Sequence, residues 1–187
     1  MPQDPDERRR TLLQIATASL ATTGAAAAAT AGTATPAPTG RPGDFDFLTG
    51  HWEIKNRQLK KDGSWDEFAG EASVFALLQG VVSVEELRIP ARGFSGMGLR
   101  VLSAEKKLWA DYFVNAKFGV VGSEPTWGGF VDGVGTWDSE DQGGDPPVIW
   151  RGVWDQITPT SCLWFQASSR DGGRSWQEQW VMHWTRA

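Results

Sequence analysis

Cysteine, histidine and tyrosine are scarce in this chain: its 187 residues include one Cys, two His and one Tyr. A single cysteine, Cys162, excludes an intrachain disulfide. Its neighbours Leu163 and Trp164 have strand character, which marks Cys162 as a small buried apolar residue rather than a nucleophile. With His51, His183 and Cys162 far apart in the sequence, no zinc-ligand spacing exists. No carboxylate-rich calcium loop is present either, so no metal is expected. Basic runs are equally rare. Arg8–Arg10 is the one cluster, and the formal net charge is -5, which leaves no basic stripe for nucleic acid. No long hydrophobic run occurs. The most apolar stretch, 12–29, is diluted by Gln14, Thr17, Ser19, Thr22 and Thr23 and falls short of the roughly 20 apolar residues of a membrane span. From Asp44 onward, no segment of ten residues has helical periodicity.

Tryptophan is abundant instead. There are eleven, and the first is Trp52. The surrounding sequence reads as short alternating runs broken by Gly, Asp and Pro, the signature of an all-β sandwich or barrel. The expected strands are 51–61, 65–69, 72–78, 81–89, 94–102, 107–115, 128–131, 135–138, 148–155, 162–168 and 176–186. Three turns share one design: Asp62–Trp65 (DGSW), Asp132–Trp137 (DGVGTW) and Asp171–Trp176 (DGGRSW). Each sets Asp-Gly where a hairpin needs positive φ, and each starts the next strand with Ser or Thr followed by Trp.

Strand side chains alternate between faces. Trp176, Glu178, Trp180, Met182, Trp184 and Arg186 therefore share one side of the last strand. Val148, Trp150, Gly152 and Trp154 share one side of an earlier strand, and Cys162, Trp164, Gln166 and Ser168 one side of the strand between. Indoles interspersed with polar groups suit the wall of a ligand cavity better than a dry core, where an unpaired polar group costs about 1–3 kcal/mol. The expected ligand-binding set is Trp150, Trp154, Trp164, Trp180 and Trp184 as walls, with Arg100, Arg151, Gln166 and Glu178 orienting the guest. Glu85, Glu86, Asp111 and Tyr112 are further acid–base candidates, although Glu85 and Glu86 are adjacent and so face opposite ways.

The N-terminal region reads as an address. Arg9-Arg10-Thr11-Leu12-Leu13 resembles the twin-arginine export signal, and Ala29-Thr30-Ala31 offers a small-x-small cleavage site. Residues 1–31 are expected to be a signal peptide, 32–43 a Pro/Gly/Thr linker, and 44–187 the folded domain. The expected location is periplasmic or extracellular, with no stable membrane anchor after cleavage.

Ser169–Trp176 (SRDGGRSW) resembles the Asp-box of sialidase-type propellers. The chain after Asp44 is too short for a ring of four-stranded blades, so the motif is read as a structural hairpin around Asp171 and Trp176. Gly50-His51-Trp52 resembles the G-x-W of lipocalins and related calycin barrels. That resemblance implies that Trp52 plugs one barrel end with Arg186 over its indole. The segments FDFLTGHWEI, WRGVWDQITPTSCLWFQASSRDGGRSWQEQW and WTR resemble a family of bacterial domains predicted to be lipocalin-like. The resemblance implies a single antiparallel up-and-down barrel of about nine or ten strands with little helix. The direct Lys61–Ser64 hairpin leaves no room for the helical lid of fatty-acid-binding proteins, which argues against long-chain lipid as cargo.

The functional expectation is an exported barrel holding a compact hydrophobic or aromatic molecule. Two alternatives stay open: an isomerase- or cyclase-like enzyme using cavity carboxylates, and an interaction module with a filled core. No catalytic residue and no cofactor is assigned. Haem through His183 is the one cofactor alternative, and His183 falls opposite the Trp-bearing face.

Overall fold

The computed structural model describes residues 36–143 and 145–187. The twin-arginine-like segment and the small-x-small site lie outside them. Ten antiparallel strands form one closed barrel: β1 Gly50–Leu59, β2 Trp65–Leu77, β3 Val82–Ile89, β4 Phe94–Ser103, β5 Leu108–Asn115, β6 Thr126–Val131, β7 Val134–Asp141, β8 Val148–Asp155, β9 Ser161–Ser169 and β10 Gln177–Arg186. Each strand pairs with its sequence neighbours, and β1 closes on β10 from Trp52↔Arg186 to Gln58↔Trp180. This is the all-β up-and-down barrel expected from the sequence. Closure gives every strand a neighbour on both sides.

The alternation of small turns and strands explains the path. Asp132 and Gly133 both have positive φ, 50° and 81°, and make the two-residue β6–β7 hairpin. One expected break is missing, because 65–69 and 72–78 form the single strand β2. Gly70 is not a turn residue. A Cβ there would lie 3.0 Å from Asn56 Nδ2 and 3.2 Å from the Arg88 carbonyl, so the missing side chain lets neighbouring groups approach the strand closely. The stretch expected as linker also differs at its end. Thr39 exchanges two backbone hydrogen bonds with Phe130, at 3.2 and 2.7 Å, and the Gly40 amide donates to the Lys107 carbonyl at 2.7 Å.

One end of the barrel is packed solid. A 3-10 turn at Asp46–Leu48 brings Phe45 and Leu48 into contact with the Trp52, Trp109, Trp137, Trp154 and Trp184 cluster. The rings meet mostly edge to face: Phe45 on Trp109 at 4.9 Å and 90°, and Trp154 on Trp184 at 5.3 Å and 62°. The indole of Trp52 donates to the Leu48 carbonyl at 2.6 Å. Arg186 fastens the plug: its guanidinium carbon lies 4.3 Å from the Trp52 ring centroid. The same group donates to the carbonyls of Pro159, Thr49 and Phe47 at 2.9, 2.7 and 2.8 Å. One side chain thus ties the last strand to the N-terminal turn and to the β8–β9 loop.

Arg186→Ala removes three charge-assisted bonds and the cation–π contact together. The expected loss is about 2–4 kcal/mol of unfolding free energy in urea titration, with Arg186→Lys recovering only part of it.

Candidate functional site

The inward positions are filled at the plugged end and leave a hollow farther along the barrel. There β3 to β10 all contribute side chains to the wall of a cavity of about 320 Å³. This lies near the lower bound of roughly 300–1,000 Å³ for small-molecule sites, so a compact guest fits and a long chain does not. Its walls carry Trp137, Trp150, Trp154, Trp164, Trp180 and Trp184, with Phe113, Leu87 and Met182. Trp164 and Trp180 stand edge to face at 6.0 Å. The Trp180 N–H donates to Asn56 Oδ1 at 3.0 Å and the Trp137 N–H to the Trp109 carbonyl at 3.4 Å.

Seven of the nine residues expected at the site line this space: Trp150, Trp154, Trp164, Trp180, Trp184, Arg100 and Gln166. Arg151 does not. It lies on the outward face of β8, donates to Asp138 at 2.7 and 2.6 Å, and covers the Trp176 ring at 4.1 Å. Period-two alternation from Trp150 and Gly152 requires this outward position. Glu178 is also outside and exposed. A β-bulge is the cause: Glu178 opposes Ala167, and Trp180 opposes the very next β9 residue, Gln166. That extra residue reverses the facing of everything before Trp180. His183 is exposed on the outer face of β10, between Lys55 and Leu163 on its neighbours, and does not reach the cavity.

The Asp-box hairpin is likewise outside. Asp171 accepts from the Ser169 and Ser175 hydroxyls at 2.8 and 2.6 Å and from the Arg174 and Ser175 amides at 3.0 and 2.9 Å. The Ser175 bonds above all hold its carboxyl below the ordinary range. Trp176 closes the turn by donating to the Gly173 carbonyl at 3.1 Å.

A charged cluster sits among the indoles. Arg100 Nη2 donates to Glu85 Oε2 at 2.6 Å, with both side chains buried, and Arg100 Nε lies 3.9 Å from Asp111 Oδ1. The register explains the meeting. Arg100 opposes Asp111 across β4–β5, and Glu85 opposes Gly98 one inward step away. A Cβ at Gly98 would lie 3.1 Å from Arg100 Nη2, so the glycine clears the guanidinium's path to Glu85. The guanidinium also lies 5.0 and 5.4 Å from the Phe45 and Trp154 rings. Burial opposes the charge on Arg100, but Glu85 and then Asp111 more than offset it and raise its pKa. Burial pushes Asp111 up to about 6, with Arg100 pulling down and Glu85 pushing up. Burial, reinforced by Glu85, pushes the Cys162 thiol up to about 12, so Cys162 is protonated and unreactive at neutral pH.

Glu85 and Asp111 belong to the site, although their residue types alone mark them only as acid–base candidates. The signal for Asp111 is its position two residues from both Trp109 and Phe113, which places it on their face. For Glu85 the signal is the inward alternation of Ser83, Glu85 and Leu87. Among the described residues, no three His, Cys, Asp or Glu side chains converge as metal ligands.

No family model matches this sequence, and no curated protein does. Among solved structures, the chain is similar to an S-type phycobiliprotein lyase, CPES, from Guillardia theta, at 9% identity and a TM-score of 0.49. The match covers 76% of this chain and 90% of that one.

Two outcomes follow from the cluster. Glu85→Gln strands a buried guanidinium and is expected to cost about 3–5 kcal/mol, whereas the double change Glu85→Leu with Arg100→Met costs less than either single change. A carboxyl with a raised folded-state pKa favours folding when protonated and loses that contribution as pH rises through about 6. Asp111→Asn is therefore expected to stabilise the protein at pH 7.5 by about 1–2 kcal/mol, discounted because the carboxylate faces the cavity. The gain should shrink progressively as pH falls from 6 towards 4 in parallel denaturation curves.

Proposed function

We propose that this protein is a binding barrel that holds a compact, largely apolar and aromatic small molecule in its Trp-walled cavity. The observation that carries this reading is the asymmetry of the interior. One half is packed by Phe45, Leu48, Trp52 and Trp109, while the other half keeps a cavity of about 320 Å³ among indoles. Large side chains are available along every strand, and smaller ones stand at Gly98, Gly152 and Ser139 on the cavity wall. Aromatic walls supply most of the binding energy of such a site through area and edge-to-face contact. Gln166, Thr126 and Ser139 supply neutral hydrogen-bonding groups that orient the guest. Together with the twin-arginine-like Arg9–Leu13 segment, the proposed place of action is outside the cytoplasm.

Gly152 provides a clean test. A Cβ there would meet Trp164 alone, at 3.7 and 3.8 Å, in ordinary contact, so a longer side chain would grow into the hollow. Gly152→Leu is expected to keep the near-ultraviolet circular dichroism of the folded barrel. It should weaken indole binding about tenfold or more in ligand-observed NMR, by occupying the guest's volume. Unchanged indole affinity in that variant would remove the cavity from the function.

A further inference from the structure

The charges around the cavity do not balance, and their accessibility is unequal. Two carboxylates, Glu85 and Asp111, face one guanidinium, Arg100. Arg100 Nη2 donates to Glu85. The remaining Arg100 donors, Nε and Nη1, make no hydrogen bond. Both atoms are buried, and the guanidinium that lines this wall keeps only 6% side-chain exposure. Asp111 is the reverse case. Its side chain keeps 34% exposure on the cavity wall, and no described residue donates a hydrogen bond to it. The reachable charge in this hollow is therefore negative.

The ring faces in the wall add to this. Aromatic faces carry the negative lobe of the ring quadrupole and attract cations. The N–H edges of Trp180 and Trp137 are turned away to Asn56 and the Trp109 carbonyl, which leaves their rings rather than their donors for a guest. An anionic guest would add a third negative charge to a low-dielectric enclosure, and a cation would neutralise it.

We propose that the cavity recognises an organic cation: a protonated amine on a compact aromatic body, with Asp111 as its counter-ion and Trp150, Trp164 and Trp180 around it. This rests on the binding-barrel reading above and narrows the class of guest. The wall beside Asp111 also offers a way in. β5 pairs with β6 only through Trp109↔Gly128, Ala110↔Trp127 and Asp111↔Thr126, so residues 112–115 have no ladder partner on that side. The half-exposed Phe113 stands at this seam.

The arrangement links capture to pH. The charged groups acting on Asp111 are Arg100 on β4 and Glu85 on β3. Asp111, pushed up to about 6, is ionised at pH 7.5 and mostly protonated at pH 5. An amine with a pKa near that of lysine stays charged across this range. The guest is therefore held at neutral pH and released on acidification.

Calorimetric titration with three probes of one shape tests the assignment: indole (neutral), tryptamine (cationic) and indole-3-acetate (anionic). At pH 7.5 tryptamine should bind at least about tenfold tighter than indole, with indole-3-acetate weakest. Asp111→Asn, which removes the charge and is expected to fold more stably, should abolish the preference for tryptamine over indole. In the unmodified protein, tryptamine affinity should fall about tenfold from pH 7.5 to pH 5, and indole affinity should not. Equal binding of tryptamine and indole, or tryptamine binding indifferent to both Asp111→Asn and pH, would overturn the cation assignment while leaving the binding barrel standing. Failure of all three probes to bind would overturn both.

Discussion

The pairing of β1 with β10 is the constraint on which the rest of the molecule depends. Until Trp52 meets Arg186 and Gln58 meets Trp180, the sheet has two edges and no interior. Once they meet, every second residue of ten strands points inward, and the sequence must decide what to do with that volume. Arg186 secures the junction because its guanidinium is a planar fork of donors. It reaches three carbonyls from two separate segments while its flat face covers the Trp52 ring. A lysine could supply the charge but not the fork.

The interior is divided unequally. At the plugged end, buried rings meeting edge to face close off the barrel. Farther along, Gly98, Gly152 and Ser139 stand where larger residues would have closed the hollow. The Glu85–Arg100 pair lies at the boundary of the two halves and touches both: Arg100 packs on Phe45 of the plug and lines the cavity. Such a buried pair is weak evidence for stability, because hydrophobic replacements of both partners often serve as well. Its position suits a different role, fixing which charge a guest meets first. With the guanidinium drawn away to Glu85, that charge is the carboxylate of Asp111.

Much of this was legible in the residues. The three Asp-Gly turns, the lack of helical periodicity and the alternating Trp faces specify a meander of strands, and the G-x-W with a terminal Arg matches the end plug. The alternation that places Trp150, Trp154, Trp164, Trp180 and Trp184 on one wall is a property of the pleat and needs no tertiary information. Glu178 was not legible, because a bulge is one extra residue with no sequence signature here, and it inverts the facing of all that precedes it. The Arg100–Glu85–Asp111 cluster depends on register across three strands, which residue patterns within one strand do not encode. Gly70 misled for a related reason: it looked like a break but serves a close contact with Asn56 and Arg88. Arg151 is a simpler case, since its outward facing follows from its own strand's alternation.

A crystal structure of the protein soaked with indole tests the central claim most directly. The account predicts a single ring enclosed among Trp150, Trp164 and Trp180, with the barrel backbone unmoved and the Glu85–Arg100 pair intact. An interior closed by collapsed side chains, or indole found only on the outer surface, would contradict it.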